Sequence, residues 1–182
     1  CFPIILCRSP YPYSRPSRND EMDIDRYLDA GYGVVYQLTR GQYKSEGVFR
    51  WLKDEASDGH DCINWLSEQP WCNGNVGMLG VSYLGSTQLL AAKTKPKALK
   101  CIMPAGFIGD AFSLYPYAGG VWPHGLLMQW HKVADTESMA MLDAPYTDMS
   151  VLEHPKWGPA FRKLPLINAA DNILSGDKLD SW

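Results

Sequence analysis

A short apolar run that breaks on a serine between small residues constrains this chain more than any other feature. Val76-Gly-Met-Leu-Gly-Val81 has the make-up of a buried strand, and Tyr83-Leu-Gly-Ser-Thr-Gln-Leu-Leu-Ala-Ala-Lys93 that of a helix. Between them sits Ser82, with Gly80 two residues before it and Gly85 three residues after, in place of the strict G-x-S-x-G spacing. Turning from strand to helix in one residue forces that residue into strained backbone geometry, which only small neighbours allow. The serine hydroxyl then stands clear of the sheet, beside a helix N-terminus whose amides favour negative charge. This is the pattern of a nucleophile elbow, with Ser82 as the attacking residue. Plain strand–turn–helix packing gives the same loose spacing, so the rest of the chain must supply the context.

Taken in order, that context is a strand–helix alternation. Phe2 to Cys7 reads as a buried strand, followed by the Pro- and Arg-rich loop from Arg8 to Asn19. Asp20 to Ala30 reads as a helix with its acids in the first turns, ended by Gly31. Gly33 to Leu38 is a second strand, and Asp54 to Gln69 a second helix stopped by Pro70, with Ile63, Trp65 and Leu66 facing inward. After the Ser82 unit, Leu99 to Met103 forms a fourth strand closed by Pro104. Such alternation means βαβ crossovers and an α/β fold with a parallel sheet between helices. Residues 1–106 are expected to form this core. Beyond Gly106 the rhythm stops, and residues 107–182, rich in Trp and Met, read as a mostly helical cap inserted after the fourth strand.

Composition excludes several classes of function. A formal charge of −3 leaves no footprint for nucleic acid or an anionic membrane. No apolar run approaches the ~18 residues a membrane span needs. Five dispersed cysteines (Cys1, Cys7, Cys62, Cys72, Cys101) without C-x-x-C spacing make a poor disulfide framework and a poor metal site. Free, mostly buried thiols point to a reducing, cytoplasmic setting, and no cofactor or metal is expected. A homo-oligomer is the one assembly left open.

A serine nucleophile needs donors for the oxyanion it creates. One is the backbone N–H after the serine, here Tyr83. The second belongs to the loop after the first strand, which lacks a Gly-Gly run but carries Tyr11, whose phenol is a donor. From residue chemistry alone, Tyr11 fits equally well as an aromatic anchoring a Pro-rich turn. Tyr115, Tyr117 and Trp122 follow the last strand and could line an acyl pocket or fill the core of the cap.

Four motifs occur together: Arg8-Ser-Pro-Tyr11; Gln37-Leu-Thr-Arg-Gly41 with Ser45-Glu-Gly-Val-Phe49; Asp61-Cys-Ile-Asn-Trp65 with Glu68-Gln-Pro-Trp71; and Gly74 to Gly85. In this order they resemble the CocE/NonD hydrolase family of α/β-hydrolases, whose members include esterases, acylases and X-Pro dipeptidyl-peptidases. The resemblance spans roughly residues 2 to 110 and is looser in the cap. It implies Ser82 as nucleophile of an acyl-enzyme, with the Tyr83 amide and Tyr11 hydroxyl as oxyanion hole. The implied substrate is a small ester or amide, or a short peptide. Leu38 stands where the family usually has Asp, so Arg40 is expected in a structural ion pair, not in catalysis.

The rest of the triad does not fit this stretch. The family order is Ser, then Asp, then His. His60 precedes the elbow, and His124, His131 and His154 fall in the expected cap, as do the acids from Asp110 onward. The catalytic Asp and His are expected beyond residue 182. Without them the chain would be a catalytically silent fragment, and X-Pro dipeptidyl-peptidase activity is the other alternative to an esterase.

Overall fold

The structure, a computed structural model, describes residues 1–11, 24–107, 119, 121 and 158–162. Four strands, β1 (Phe2–Ser9), β2 (Gly33–Leu38), β3 (Cys72–Val81) and β4 (Leu99–Ala105), form one parallel sheet in the order β2-β1-β3-β4. Three helices connect them: α1 (Ile24–Asp29), α2 (Glu55–Ser67) and α3 (Tyr83–Lys93). A one-turn helix, α4 (Gly158–Phe161), lies in the second of two compact units, Cys1–Asp110 and Ala111–Trp182. The expected α/β sheet with flanking helices is thus present. The expected cap, including Tyr115, Tyr117 and Trp122, falls almost wholly outside the described residues, as do His124, His131 and His154.

The strand order follows from the alternation of apolar side chains on β1. Ile4 and Leu6 join Ile63 and Leu66 of α2, Val76 and Met78 of β3 and Ala91 of α3 in one core cluster. Ile5 and Cys7 point to the other face, where Leu79 meets Tyr27 of α1 and Tyr36. A central parallel strand buried on both faces must be apolar at consecutive positions, and β1 is. Helix α1 ends as a Schellman motif: Gly31 N–H bonds Leu28 O and Tyr32 N–H bonds Tyr27 O.

Boundaries differ from expectation where polar residues are buried. β1 runs on through Arg8 and Ser9, which are 1% and 0% exposed. β3 begins at Cys72, because Asn73 to Asn75 continue the strand in spite of their loop-like composition. β4 continues through Pro104, which is tolerated because β4 is an edge among the described strands. Trp65, expected inward, is 57% exposed and meets Trp71 edge-on at 6.4 Å. It lies two residues, about 200°, around the helix from buried Ile63. The inward stripe is Glu55, Gly59, Ile63 and Leu66.

All five cysteines are free, but only Cys7 and Cys72 are buried; Cys62 is intermediate, and Cys1 and Cys101 are exposed. Among the described residues no helix is long and apolar enough to cross a membrane.

Two predictions test this packing. A Cβ on Gly59 would come within 2.7 Å of Ala91 Cβ, where α2 and α3 cross. Gly59→Val should therefore lower stability to urea by about 1–3 kcal/mol, the usual cost of overpacking. Burial pushes the Cys7 thiol up to about 12 and the Cys62 thiol up to about 11. Only thiolates react, so peptide mapping after native labelling at pH 8 should find Cys1 and Cys101 modified and Cys7 and Cys62 modified only after unfolding.

Candidate active site

The connections out of β1 and β3 diverge. β1 leads through α1 to β2 on one side of the sheet, and β3 leads through α3 to β4 on the other. Between neighbouring strands whose connections part in this way a crevice opens at the carboxyl ends, where α/β proteins place their ligands. Ser82 follows β3 at one lip of that crevice, and Tyr11 follows β1 at the other.

Ser82 is exposed and has φ 62° and ψ −123°, a region almost reserved for glycine. Its neighbours hold it there. Ser82 N–H donates to Ala105 O at 2.9 Å, and Ser82 O accepts from Gly85 N–H and Ser86 N–H, starting α3. Gly80 has φ +142°, and a Cβ there would lie 2.4 Å from Leu84 Cβ. A Cβ on Gly85 would lie 2.8 Å from Ala105 O, so this glycine lets α3 close against the end of β4. The spacing is thereby explained: Leu84, where the strict motif has its second glycine, packs over Gly80 towards Ile5, Cys7 and Leu79. Gln88, fully buried, donates to Gly80 O and accepts from Met103 N–H. It ties β3 to β4 at the level of Pro104, a residue with no N–H to give.

Beneath the elbow runs a polar network that sequence reasoning missed. Tyr83 is 3% exposed; its phenol donates to Glu55 Oε1 at 2.9 Å and accepts from Leu52 N–H at 3.1 Å. Arg8 Nη1 lies 2.8 Å from Glu55 Oε2 and 3.0 Å from Glu55 O, and Arg8 Nε donates to Gln37 Oε1 at 2.7 Å. Burial pushes the Glu55 carboxyl above its usual range, against the pull of Arg8 and of the Tyr83 hydrogen bond. Burial, with Glu55 beside it, also holds the Tyr83 phenol well above its ordinary value, so it stays a donor. The signal available in the sequence was the period: Glu55 heads the stripe Gly59, Ile63, Leu66 at helical spacing.

The second lip is held from β2. Tyr11 N–H donates to Ser9 Oγ at 3.0 Å, and Tyr36 hydroxyl donates to Tyr11 O at 3.2 Å. Thr87 of α3 donates to Arg8 O, joining the two lips. The Tyr83 N–H belongs to the first turn of α3, ahead of the helical ladder.

His60 is the one histidine among the described residues, and it is committed elsewhere. Its Nδ1 is 2.9 Å from Thr94 Oγ1 at the far end of α3, about 18 Å along the chain axis from Ser82. Arg40 forms the expected structural pair, bidentate to Asp58 at 2.9 and 2.6 Å. That pair lines a groove of about 640 Å³ with Gln37 and Trp65, a groove that includes neither Ser82 nor Tyr11. No cluster suited to a metal ion occurs among the described residues.

The family described as X-Pro dipeptidyl-peptidase (S15 family) matches residues 1–157. A cocaine esterase from Rhodococcus sp. (strain MB1 Bresler) is 38% identical over 141 residues, covering 74% of this chain and 24% of the relative. A Xaa-Pro dipeptidyl-peptidase from Lactobacillus helveticus is 28% identical over 135 residues, 62% of this chain and 17% of the relative. A solved CocE/NonD family hydrolase from Staphylococcus aureus superposes with a TM-score of 0.68 at 28% identity, over 91% of this chain and 33% of that one. The chain thus spans about a quarter or less of the length of these two curated relatives.

The backbone at Ser82 generates its own test. A side chain in this region costs about 1–3 kcal/mol, so Ser82→Gly should be more stable than Ser82→Ala by an amount of that order in urea denaturation. Equal stability of the two variants would show an unstrained turn.

Proposed function

The chain belongs to the X-Pro dipeptidyl-peptidase (S15) family, and on that premise we propose that Ser82 is the nucleophile of a serine hydrolase that cleaves esters or amides through an acyl-enzyme. The observation that carries this reading is one exposed serine, held at φ 62° on the strand–helix turn beside the switch in strand connection. Ser82 Oγ attacks the acyl carbonyl as a histidine takes its proton. The carbonyl oxygen becomes an oxyanion that receives hydrogen bonds from the Tyr83 N–H and the Tyr11 hydroxyl. The leaving group departs with the proton returned by the histidine, and water repeats the cycle on the acyl-enzyme. A phenol suits the second position because it donates strongly to an alkoxide without bringing a charge of its own.

The base and its orienting acid come from outside the described residues. Residues 107–182 are proposed to form a helical cap, with Tyr115, Tyr117 and Trp122 lining the acyl pocket. An esterase-type substrate stands ahead of an X-Pro peptide because the cocaine esterase matches the larger share of this chain, 74% against 62%. Five free cysteines fit a reducing compartment such as the cytoplasm.

Ser82→Ala in the intact protein should abolish labelling by a fluorophosphonate probe; labelling that survives removes Ser82 from the reaction. Tyr11→Phe should cost about 10²–10³ in kcat with KM little changed, as for loss of one oxyanion donor. Wild-type turnover in that variant would leave Tyr11 a loop anchor. A panel of small esters and X-Pro amides separates the two substrate classes.

A further inference from the structure

Tyr83 stands at the meeting of two functions. Its backbone N–H follows Ser82, and its side chain runs the other way, into the buried core. There the phenol is held from both sides, donating to Glu55 Oε1 and accepting from Leu52 N–H. Glu55 is itself fixed twice by one guanidinium group, through its carboxylate and through its own carbonyl. Gln37 steadies the same guanidinium from β2. Arg8, Glu55 and Tyr83 are all under 5% exposed, and the Tyr83–Glu55 and Arg8–Glu55 bonds are buried.

We propose that Glu55 is a positioning residue for the reaction: through the Tyr83 phenol it fixes the angle of the Ser82–Tyr83 peptide, so that its N–H meets the oxyanion. The inference rests on the reading of Ser82 as nucleophile. Its physical basis is the strain at Ser82. A residue at φ 62° and ψ −123° relaxes by rotating its flanking peptides, and rotating the Ser82–Tyr83 peptide swings the Tyr83 ring. Tyrosine has only two side-chain torsions, so pinning its hydroxyl restrains the peptide at its other end. Phe49, with its ring 6.0 Å from that of Tyr83, fills space beside the ring but gives the hydroxyl nothing to bond. The same series reaches the other lip of the crevice: Arg8 lies three residues before Tyr11, on the strand whose end carries it. Glu55 touches neither substrate nor reacting atoms; it acts through Tyr83.

The test uses the intact protein, a p-nitrophenyl ester, and a phenylboronic acid, which forms a tetrahedral adduct on a serine and fills the oxyanion position. Tyr83→Phe should lower kcat about ten- to hundredfold, leave KM within about twofold, and weaken boronate binding by the factor lost in kcat. Glu55→Gln should move the same quantities in the same direction. The double variant should be no worse than the worse single, because both changes break one link. A folded Tyr83→Phe with wild-type kcat and boronate affinity overturns the proposal, and so does a loss confined to KM. If Tyr83→Phe does not fold, Glu55→Gln decides the matter on the same two readouts. Ser82→Ala is the control. Turnover surviving there means the nucleophile reading has failed, whereas an inactive Ser82→Ala beside a fully active Tyr83→Phe defeats the positioning role alone.

Discussion

The ion pair between Arg8 and Glu55 is the contact on which the arrangement of the sheet and its helices depends. Two charges have left water, at an idealised cost on the order of 20 kcal/mol per ion, and their attraction offsets this only if the remaining donors and acceptors are satisfied. Here they are in part: Glu55 Oε2 meets Arg8 Nη1 as an ion pair but makes no hydrogen bond of its own. Gln37 takes one guanidinium N–H, the Glu55 carbonyl another, and the Tyr83 phenol bonds the carboxylate. The partners come from β1, β2, α2 and α3, so the pair can be satisfied only when all four elements are in register. A buried pair of this kind adds little to net stability over an apolar packing, yet losing one partner leaves an unsolvated charge. Removing either partner alone therefore costs more than the intact pair contributes.

A second constraint works against the first. Ser82 occupies a backbone region that costs free energy, and the surroundings must hold it there. Gly80 lets Leu84 close over the strand, Gly85 lets α3 approach the β4 carbonyls, and the Gln88 amide stitches β3 to β4 where Pro104 interrupts the ladder. These contacts are short in sequence, spanning residues 80 to 105. The Arg8–Glu55 network joins residues 47 positions apart and supplies the long-range part of the restraint.

What the sequence disclosed divides along the same line. β2 and α3 were legible to the residue, since their apolar periodicity changes sharply at Gly33, Leu38, Tyr83 and Lys93. The elbow was legible because its serine sits between the two periodicities. A charge and a hydroxyl normally mark the end of a strand, so Arg8 and Ser9 read as loop. Arg8 is buried because partners distant in sequence, Glu55 and Gln37, satisfy it, and no local pattern encodes them; the Ser9 hydroxyl is bonded by nearby Tyr11. Trp65 misleads for the opposite reason: a large apolar residue near an apolar stripe reads as part of it, though its helical angle places it beside Trp71 at the surface. Glu55 is the hardest of these residues to read. An acid in the first turn of a helix is expected to face water and complement the dipole. Only its phase with Gly59, Ile63 and Leu66 marked it as inward, and an inward acid implies a cation waiting for it.

An acid buried at the start of α2 needs a cation from the neighbouring strand, and β1 is the strand against which α2 packs its apolar stripe. On β1 the positions facing α2 are Ile4, Leu6 and, by alternation, Arg8, so Arg8 is the residue the geometry selects. Arg8 is also the last side chain on that face before the strand yields to the loop bearing Tyr11. The partner that neutralises Glu55 therefore sits one residue before the end of β1 at Ser9. One buried pair thus bears on both lips of the crevice: on the Ser82 side through Tyr83, and on the Tyr11 side through the strand that carries it.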